Sequence, residues 1–435
     1  MKKTKFHDRY TVDFETVLKG NVEDAQGNLF ISDGFQWNSD TMKILHSGVD
    51  TIKQLYSGLI ERDMLAQIQA VYDRGYGGFV ELLSLDGEIV PFMVSSGRKG
   101  GYKFTLLNQE LGVVILLGST YVKDDLNGSH LKIELSPHLI MNNTSEYLQS
   151  LMDNFAKSLL TQVLPSGVAL HLCCDFQGVD IPDDLDRQLT TRTRRTISRT
   201  GLSEIDIPLM ASKYGASQSF LFGRADSVQF AVYRKDIQAK EQDKTHIWHV
   251  KWSEAGDRHF ELAYNPELPV WRVELRFHHT AIDELGRDKD LTIKTFMDAV
   301  THLTGFWRYG LDNCYRWDMN HRYIHPAWQY LIESVFIPKN TGFIFTRRLK
   351  KLPGEGNQKN IALAYGNLLS IYARNRFPVK YVMRSLRDSG MWRDLFKYWQ
   401  QKTGLFDDDR DVIAIIMQDV ENKLKQRRIG YGIAA

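Results

Sequence analysis

Three short segments carry side chains that could act together on a phosphodiester. Residues 168–176, 228–236 and 270–277 each alternate between apolar side chains and other types. Because successive side chains of a β-strand point to opposite faces, each segment is predicted to have one apolar face and one polar face. The polar faces carry His171 and Asp175, then Tyr233 and Lys235, then Arg272, Glu274 and Arg276.

If these strands lie in one sheet, their polar faces converge and predict a metal site beside a tyrosine. Carboxylate and imidazole groups, here those of Asp175, Glu274 and His171, suit Mg²⁺ or Mn²⁺ bound together with phosphate oxygens. Such a metal polarises the phosphorus centre. A tyrosyl hydroxyl has a pKa of about 10, so Tyr233 needs a metal or a cation such as Lys235 to act as a nucleophile. Lys235, Arg272 or Arg276 would hold the flanking phosphates.

Each of these residues also has a structural alternative. A tyrosine at the end of a strand usually packs or donates a surface hydrogen bond, and Asp175 could simply terminate its strand. The carboxylate of Glu274 could pair with a neighbouring arginine, and His171 could be a satisfied core residue. We favour the chemical interpretation for Tyr233, because ordered motifs lie on both sides of it, and for Asp175 and Glu274. For His171 the core alternative is at least as good, because a lone histidine in a strand is often a satisfied core residue.

The order of the motifs resembles that of rolling-circle replication initiators of the staphylococcal-plasmid type and the related filamentous-phage initiators. The motifs are L-x-L-x-x-D-F ending at Phe176, F-G-x-x-x-S-x-x-F-x-x-Y-x-K ending at Lys235, and W-R-V-E-L ending at Leu275. The clear match covers residues 167–279. In that family the tyrosine of the Y-x-K strand attacks one DNA strand at the origin and leaves a 5′-phosphotyrosine and a free 3′-hydroxyl.

The resemblance implies an enzyme that nicks a replication origin, starts rolling-circle replication of a phage or plasmid, and rejoins the strand at termination. It implies Tyr233 as the nucleophile and Asp175 and Glu274 as the acidic, metal-associated residues. It also implies a homodimer that recruits a host helicase. The expected DNA partner is the origin, as a hairpin or a single-stranded nick site.

One departure from the family pattern concerns the metal. The chain has Ala169-Leu170-His171 where the plasmid proteins usually have an R-L-D triplet. His171 can still bind a metal but shifts the preference toward softer ions. The metal's identity is therefore in question, whereas the reaction class is not.

A group of arginines follows the first polar strand. Pro182, Asp183 and Asp184 are residues typical of a helix start, so a helix is predicted to carry the arginines. Interleaved threonines favour contacts to DNA phosphates over a merely solvated basic face. The predicted DNA-binding residues, with Arg276 of the third strand, are Arg187, Arg192, Arg194, Arg195 and Arg199.

The remaining sequence predicts the elements that hold these strands. Residues 49–70 show apolar side chains at helical spacing, whereas segments near 101–107, 112–117 and 130–135 are strand-like. From about residue 291 onward the pattern is mainly helical. We therefore predict an α+β fold, a helix-backed and mainly antiparallel sheet followed by a mostly helical C-terminal region. The predicted divisions are 1–145, 146–285 and 286–435, the last a DNA-binding or accessory domain, with a linker at 351–359.

Composition narrows the remaining possibilities. The chain has 435 residues, a formal net charge of +2 and three cysteines. It therefore lacks a disulfide framework, and a reducing cytoplasm is expected, with no signal peptide and no membrane contact. No G-x-x-x-x-G-K-S/T motif is present, so no ATPase activity is expected. The alternative function is a sequence-specific DNA-binding protein, an origin or promoter binder, that has the same fold and does not cleave DNA.

Overall fold

The computed structural model describes most of the chain and divides it into two units. The described residues are 29–32, 35–38, 41–75, 77–97, 101–191, 196–197, 219–255, 264–318, 324–335, 337, 342–349, 358–403 and 409–430. The units are Met1–Arg348 and Leu349–Ala435. The fold is α+β, with a large antiparallel sheet and a mostly helical C-terminal region, which confirms the predicted fold class.

The described strands, β1 to β15, all belong to the first unit. They are Leu29–Ser32, Phe35–Asn38, Lys43–Ile60, Phe79–Leu83, Ile89–Ser96, Tyr102–Asn108, Val113–Ser119, Gly128–Leu135, Leu160–Gln177, Leu189–Thr191, Thr196–Ile197, Ser219–Phe222, Val228–Arg234, Trp271–Phe277 and Tyr315–Trp317. Eleven of them form one sheet in the order β11-β12-β13-β14-β9-β3-β8-β7-β6-β5-β4. The two 18-residue strands β3 and β9 pair antiparallel along most of their length and so join the two halves of the sheet.

The described helices of the first unit are α1 to α10. They are Arg62–Asp73, Pro137–Met141, Ser145–Leu159, Leu185–Gln188, Lys235–Glu241, Thr245–Ser253, His279–Arg287, Phe296–Val300, Leu303–Arg308 and Pro326–Ser334, with a π-helical turn at Tyr309–Cys314. The second unit contains α11 to α14, which are Gln358–Arg374, Val379–Asp388, Trp392–Thr403 and Asp409–Gly430. Among the described helices, none is long and apolar enough to cross a membrane.

One face of the large sheet forms the main core. The apolar faces predicted for β9, β13 and β14 all point into it, together with apolar side chains of α3 such as Leu151 and Phe155. Full burial of a Leu or Phe side chain contributes roughly 1.5–3 kcal/mol. The apolar alternation therefore fixes which face of each strand is buried, and it leaves the candidate site residues of these strands on the opposite face. We call this opposite face the polar face.

The helix predicted over residues 49–70 is wrong. Residues up to Ile60 belong to β3, and only the last part of that segment lies in α1. In β3 every second residue from Ile52 to Ile60 is buried, but one of these positions is the polar Gln54. The Gln54 amide donates to the backbone carbonyls of Gly167 and Lys294. Because this buried position holds a polar residue, the alternation of apolar and polar residues that is typical of a strand is interrupted in the sequence.

Other predictions differ in detail from the structure. Lys235 does not share the strand face of Tyr233, because it begins helix α5. The predicted arginine helix is short: α4 ends at Gln188 and β10 follows at once. Of the five arginines, Arg187 is exposed, whereas Arg192, Arg194, Arg195 and Arg199 lie outside the described residues.

The division into units also differs from the predicted domain boundaries. The boundary proposed at 145 separates strands of one continuous sheet, and the one at 285 falls within α7, whose Ile282 and Leu285 are buried in the main core. The structure divides the chain between Arg348 and Leu349, just before the predicted linker at 351–359. A boundary requires few contacts across it, and a shared sheet and core exclude that at 145 and 285.

Candidate active site on the polar face of the sheet

The strand register brings the three predicted segments side by side. In β13, β14 and β9, Tyr233 lies opposite Arg272, and Arg272 lies opposite Asp175. Four residues further along β14, Arg276 lies opposite His171. The sequence therefore correctly predicted that these residues share one face of one sheet. The fourth strand of the site, β3, was not part of that prediction.

Glu274 is the centre of a hydrogen-bonded cluster. The Tyr233 hydroxyl donates to Glu274 Oε2 at 3.0 Å. The Arg276 guanidinium donates to both carboxylate oxygens, at 2.8 and 3.2 Å, and His171 Nδ1 lies 3.0 Å from Oε1. The side chains of Arg276 and His171 are each 17% exposed, whereas that of Glu274 is 3% exposed. Solvent thus reaches the cluster from the side of Arg276 and His171.

Burial and neighbouring charges set the protonation of this cluster. Burial raises the pKa of Tyr233 well above its ordinary value, and the Glu274 carboxylate raises it further. Burial also raises the pKa of Glu274, but Arg276 and then His171 outweigh it and hold that pKa well below its usual range. The stable state is therefore a neutral tyrosine that donates its proton toward an ionised carboxylate.

Asp175 lies in a different environment from Glu274. Its oxygens accept from Arg272 Nε at 2.5 Å, from Arg272 Nη2 at 2.8 Å and from the indole of Trp252 at 2.9 Å. Both Asp175 and Arg272 are 0% exposed. Burial raises the pKa of Asp175, but Arg272 outweighs it, so the carboxyl stays ionised. The structure thus places this predicted metal ligand in a closed ion pair, and the predicted phosphate-binding Arg272 has no free face.

Asp50 is a residue that the sequence analysis missed. Its carboxylate accepts from Arg272 Nη1. The β3–β9 register shifts between Val49 and Thr51, so Asp50 has no partner residue in β9. Such a bulge re-aims a side chain and occurs frequently beside active sites. The sequence offered no usable signal, because residues 49–70 were interpreted as a helix and a bulge cannot be read from alternation.

The structure groups Asp50, His171 and Glu274 as possible metal ligands. One ligand atom from each residue lies within 4.8 Å of the other two. In octahedral Mg²⁺ coordination, with bonds of about 2.1 Å, adjacent ligand atoms stand about 3.0 Å apart and opposite ones about 4.2 Å, so the three side chains would have to close around the ion. Two carboxylates and an imidazole are also an appropriate donor set for Mn²⁺. The fit to a divalent cation is therefore good, with Asp50 in the role predicted for Asp175.

Lys235 is buried beside the tyrosine. Its amino group lies 4.4 Å from the centre of the Trp248 ring and 5.9 Å from that of Tyr233, and it donates to Gln238 at 2.7 Å. Trp248 also contacts the Arg272 guanidinium at 4.3 Å. Burial and then Arg272 lower the pKa of Lys235 to about 8. Lys235 therefore adds a positive charge beside the ring of Tyr233, and its lowered pKa makes that charge easier to lose than that of an ordinary lysine.

Comparison with known proteins gives one informative match. The chain is 29% identical over 381 residues to the uncharacterized protein ORF430 of Pseudomonas phage Pf1, which covers 83% of this chain and 85% of that protein. No family model matches the chain, and no solved structure matches it. The match relates the chain to a phage protein along most of its length.

Proposed function

We propose that this chain is a phage replication initiation protein, a nickase that cleaves one DNA strand at an origin through Tyr233 and later rejoins it. The observation that carries the proposal is the 3.0 Å hydrogen bond from the Tyr233 hydroxyl to Glu274, a carboxylate that belongs to the possible metal-ligand group. The relative from a filamentous phage supports a role in a phage life cycle. The motif order of β9, β13 and β14 supports the reaction class.

The proposed step is a transesterification. The Tyr233 oxygen forms a bond to the phosphorus atom, and the bond from phosphorus to the 3′-oxygen breaks. Glu274 holds the tyrosyl hydroxyl by its hydrogen bond, the tyrosyl proton is released to water as the new bond forms, and the departing 3′-oxygen takes a proton from water. The products are a 5′-phosphotyrosine and a free 3′-hydroxyl, so the phosphodiester energy is kept for rejoining.

A divalent Mg²⁺ or Mn²⁺ ion held by Asp50, His171 and Glu274 would supply charge stabilisation at the phosphate when bound. The chain's own residues supply the rest. Glu274 orients the tyrosyl hydroxyl, and Arg276, which is partly exposed, is available to contact a phosphate oxygen. We assign Arg272 a positioning role, because its guanidinium already binds Asp50 and Asp175.

The proposal includes partners. The substrate is origin DNA, presented as a hairpin or as a single strand. The second unit is a candidate for further DNA contacts, since its 87 residues contain 16 Lys and Arg against 9 Asp and Glu. A homodimer and a host helicase are further partners that the family resemblance suggests.

The experiment that tests the proposal is covalent adduct formation. The purified chain is incubated with supercoiled DNA of its own replicon and Mn²⁺, then separated on a denaturing gel. We expect a DNA–protein adduct that peptide mass analysis maps to Tyr233. Tyr233→Phe should abolish the adduct and leave DNA binding nearly unchanged.

A matched control is available within the same chain. Tyr56 is also buried and donates to a carboxylate, Asp153, at 2.7 Å. Tyr56→Phe removes the same kind of hydrogen bond away from the polar face, so it should leave adduct formation intact. Cleavage that survives Tyr233→Phe would show that the nucleophile is a different residue.

A DNA-binding protein that does not cleave is the second candidate. The observation that favours it is the burial of Tyr233, which is only 7% exposed in the structure. The same gel separates the two candidates. Tight binding to the origin, with neither relaxation nor adduct in any divalent metal, would replace the nickase by the binding protein.

A further inference from the structure

The polar face continues beyond the candidate site as a row of cations. On β3, Lys53 lies opposite Glu134 of β8, and their charged groups are 3.7 Å apart. Lys132, two residues before Glu134, approaches the same carboxylate at 2.8 Å. On β9, Lys53 lies opposite Ala169, two positions from His171. The lysines therefore stand on the same face as the cluster around Glu274, one and two strands away from β9.

The row has an excess of positive charge. Lys53, Lys132 and Arg276 are three cations, and the carboxylates that pair with them directly among the described residues are Glu134 and Glu274. Asp50 lies near Arg276 as well, but its carboxylate already accepts from Arg272. The side chains are 27%, 22% and 17% exposed, so each reaches solvent from a recessed position. A carboxylate shared by two lysines leaves one charge available for an anionic ligand. Because the cations are recessed, a single nucleic-acid strand can reach them more easily than a duplex can.

The electrostatics of nearby histidines support this excess. Burial lowers the pKa of His278 and of His279, the latter to about 4. Lys132 contributes to the lowering in both cases. Burial is the largest cause in both histidines, and the charge of Lys132 reaches both of them as a smaller contribution.

Aromatic side chains extend the row at its far end. The Lys132 amino group lies 5.8 Å from the centre of the Tyr102 ring. The preceding residue is Gly101, where an added Cβ would meet the ring of Tyr121, so Tyr121 lies beside this end of β6 and is 86% exposed. Cations followed by an exposed aromatic ring are the elements with which proteins bind single strands, the cations at phosphates and the ring on a base.

We propose that Lys53, Lys132 and Arg276 bind successive phosphates of single-stranded DNA and lead the strand to the hydroxyl of Tyr233, with Tyr121 stacking on a base. This inference rests on the proposed function, since it assigns a path for the substrate of that site. It adds two lysines and an aromatic residue that the motifs do not contain.

The test measures how tightly a labelled 20-nucleotide oligothymidylate binds to the full chain. Binding is detected by fluorescence anisotropy at salt concentrations between 50 and 200 mM. Each phosphate contact to a single strand contributes about 0.7 to the slope of log affinity against log salt. The double variant Lys53→Ala, Lys132→Ala should therefore reduce that slope by about 1.4. Lys157→Ala is the control, because Lys157 is exposed on α3, whose apolar side packs on the opposite face. If the slope were unchanged in the double variant, or fell equally in the control, the proposed binding of DNA phosphates by this row of cations would be refuted.

A second variant keeps the test decisive if loss of both lysines disturbs folding. Glu134→Gln removes the carboxylate that competes with DNA for the two lysines. The single strand should therefore bind to this variant several-fold more tightly than it binds to the original chain. A purely structural ion pair predicts no such gain, and weaker binding would count against the row. A 20-base-pair duplex should bind less tightly than the oligothymidylate, and a duplex that binds equally well and responds equally to the variants would overturn the single-strand assignment.

The outcome is separable from that of the proposed function. If the lysine variants bind like the original chain but Tyr233→Phe abolishes the adduct, the row fails and the nickase stands. If the original chain forms no adduct but the lysine variants bind DNA more weakly than it does, the proposed DNA path stands and the proposed nickase activity fails.

Discussion

Two arginine–carboxylate pairs lie beside each other on the polar face, with Arg272 and Arg276 four residues apart in β14, and they differ in what surrounds them. The pair of Arg272 and Asp175 is fully buried, and the indole of Trp252 occupies a remaining acceptor position. The pair of Arg276 and Glu274 is joined by a tyrosyl hydroxyl and an imidazole, and its arginine is 17% exposed. The single R-x-E-x-R pattern of β14 supplies Arg272, Glu274 and Arg276, whereas Asp175 comes from β9.

The difference teaches that a polar strand face can hold a structural pair and a chemical pair side by side. A buried charge pair with all its positions filled holds strands in place and cannot exchange partners without a large cost. A pair that reaches solvent and shares its carboxylate with titratable groups can exchange a partner for a substrate or a metal. We therefore assign the first pair to positioning and the second to chemistry.

Loss of Arg272 should have the largest effect. Arg272→Met leaves Asp175 and Asp50 without their cation, and breaking a buried pair costs about 3–5 kcal/mol. We expect the free energy of unfolding, measured by urea denaturation, to fall by that amount. Arg276→Met should cost less than half as much, because Glu274 keeps Tyr233 and His171 as partners. Equal losses would show that the two pairs do not differ in role.

The two aspartates should separate metal binding from stability. Asp50→Asn should weaken Mn²⁺ binding by at least about 10-fold, as even an outer residue of a metal site does. Asp175→Asn should leave Mn²⁺ affinity within about threefold, since its oxygens bind Arg272 and Trp252, but should lower stability by about 2 kcal/mol. Isothermal titration with Mn²⁺ and thermal denaturation provide the two readouts. If Asp175→Asn weakened Mn²⁺ binding and Asp50→Asn did not, Asp175 would be the metal ligand.

Lys235 should make stability depend on pH in an unusual direction. Its pKa in the folded chain is about 8, below the ordinary 10.5, so the unfolded chain binds more protons between these values. The free energy of unfolding should therefore rise with pH across that window. The destabilisation that comes from burying the protonated Lys235 should be fully present below pH 8. Lys235→Met removes a cost of at most about 3 kcal/mol and loses the contact with Trp248, for a net gain of about 2 kcal/mol at pH 7. Melting curves at pH 7 and pH 10 would show the gain shrinking, and a gain independent of pH would contradict the lowered pKa.

Tyr233→Phe should have the smallest effect on stability. The variant keeps the ring and loses one hydrogen bond to a carboxylate that has other donors, so the cost is about 1 kcal/mol. Chemical denaturation beside Tyr56→Phe would measure it. A loss of several kcal/mol would mean that any missing cleavage in this variant reflects unfolding.

The sequence by itself determined the fold class and, within β9, β13 and β14, which residues lie on the polar face, whereas it placed Lys235 there wrongly. Local alternation suffices for this, because a strand in a half-buried sheet must keep its apolar side chains on one side. Val273 and Leu275 fix the position of Glu274 in this way, and the same rule fixes His171 and Tyr233.

Only the tertiary structure decided which acidic residue accompanies Glu274. Gln54 hides the strand that contains Asp50, and its hydrogen-bond partners at Gly167 and Lys294 are far away in the chain. The bulge at Asp50 arises from the pairing of β3 with β9, and the closed state of Asp175 arises from Arg272 and Trp252. These are long-range contacts, and a local pattern carries no information about which groups the fold brings to a carboxylate.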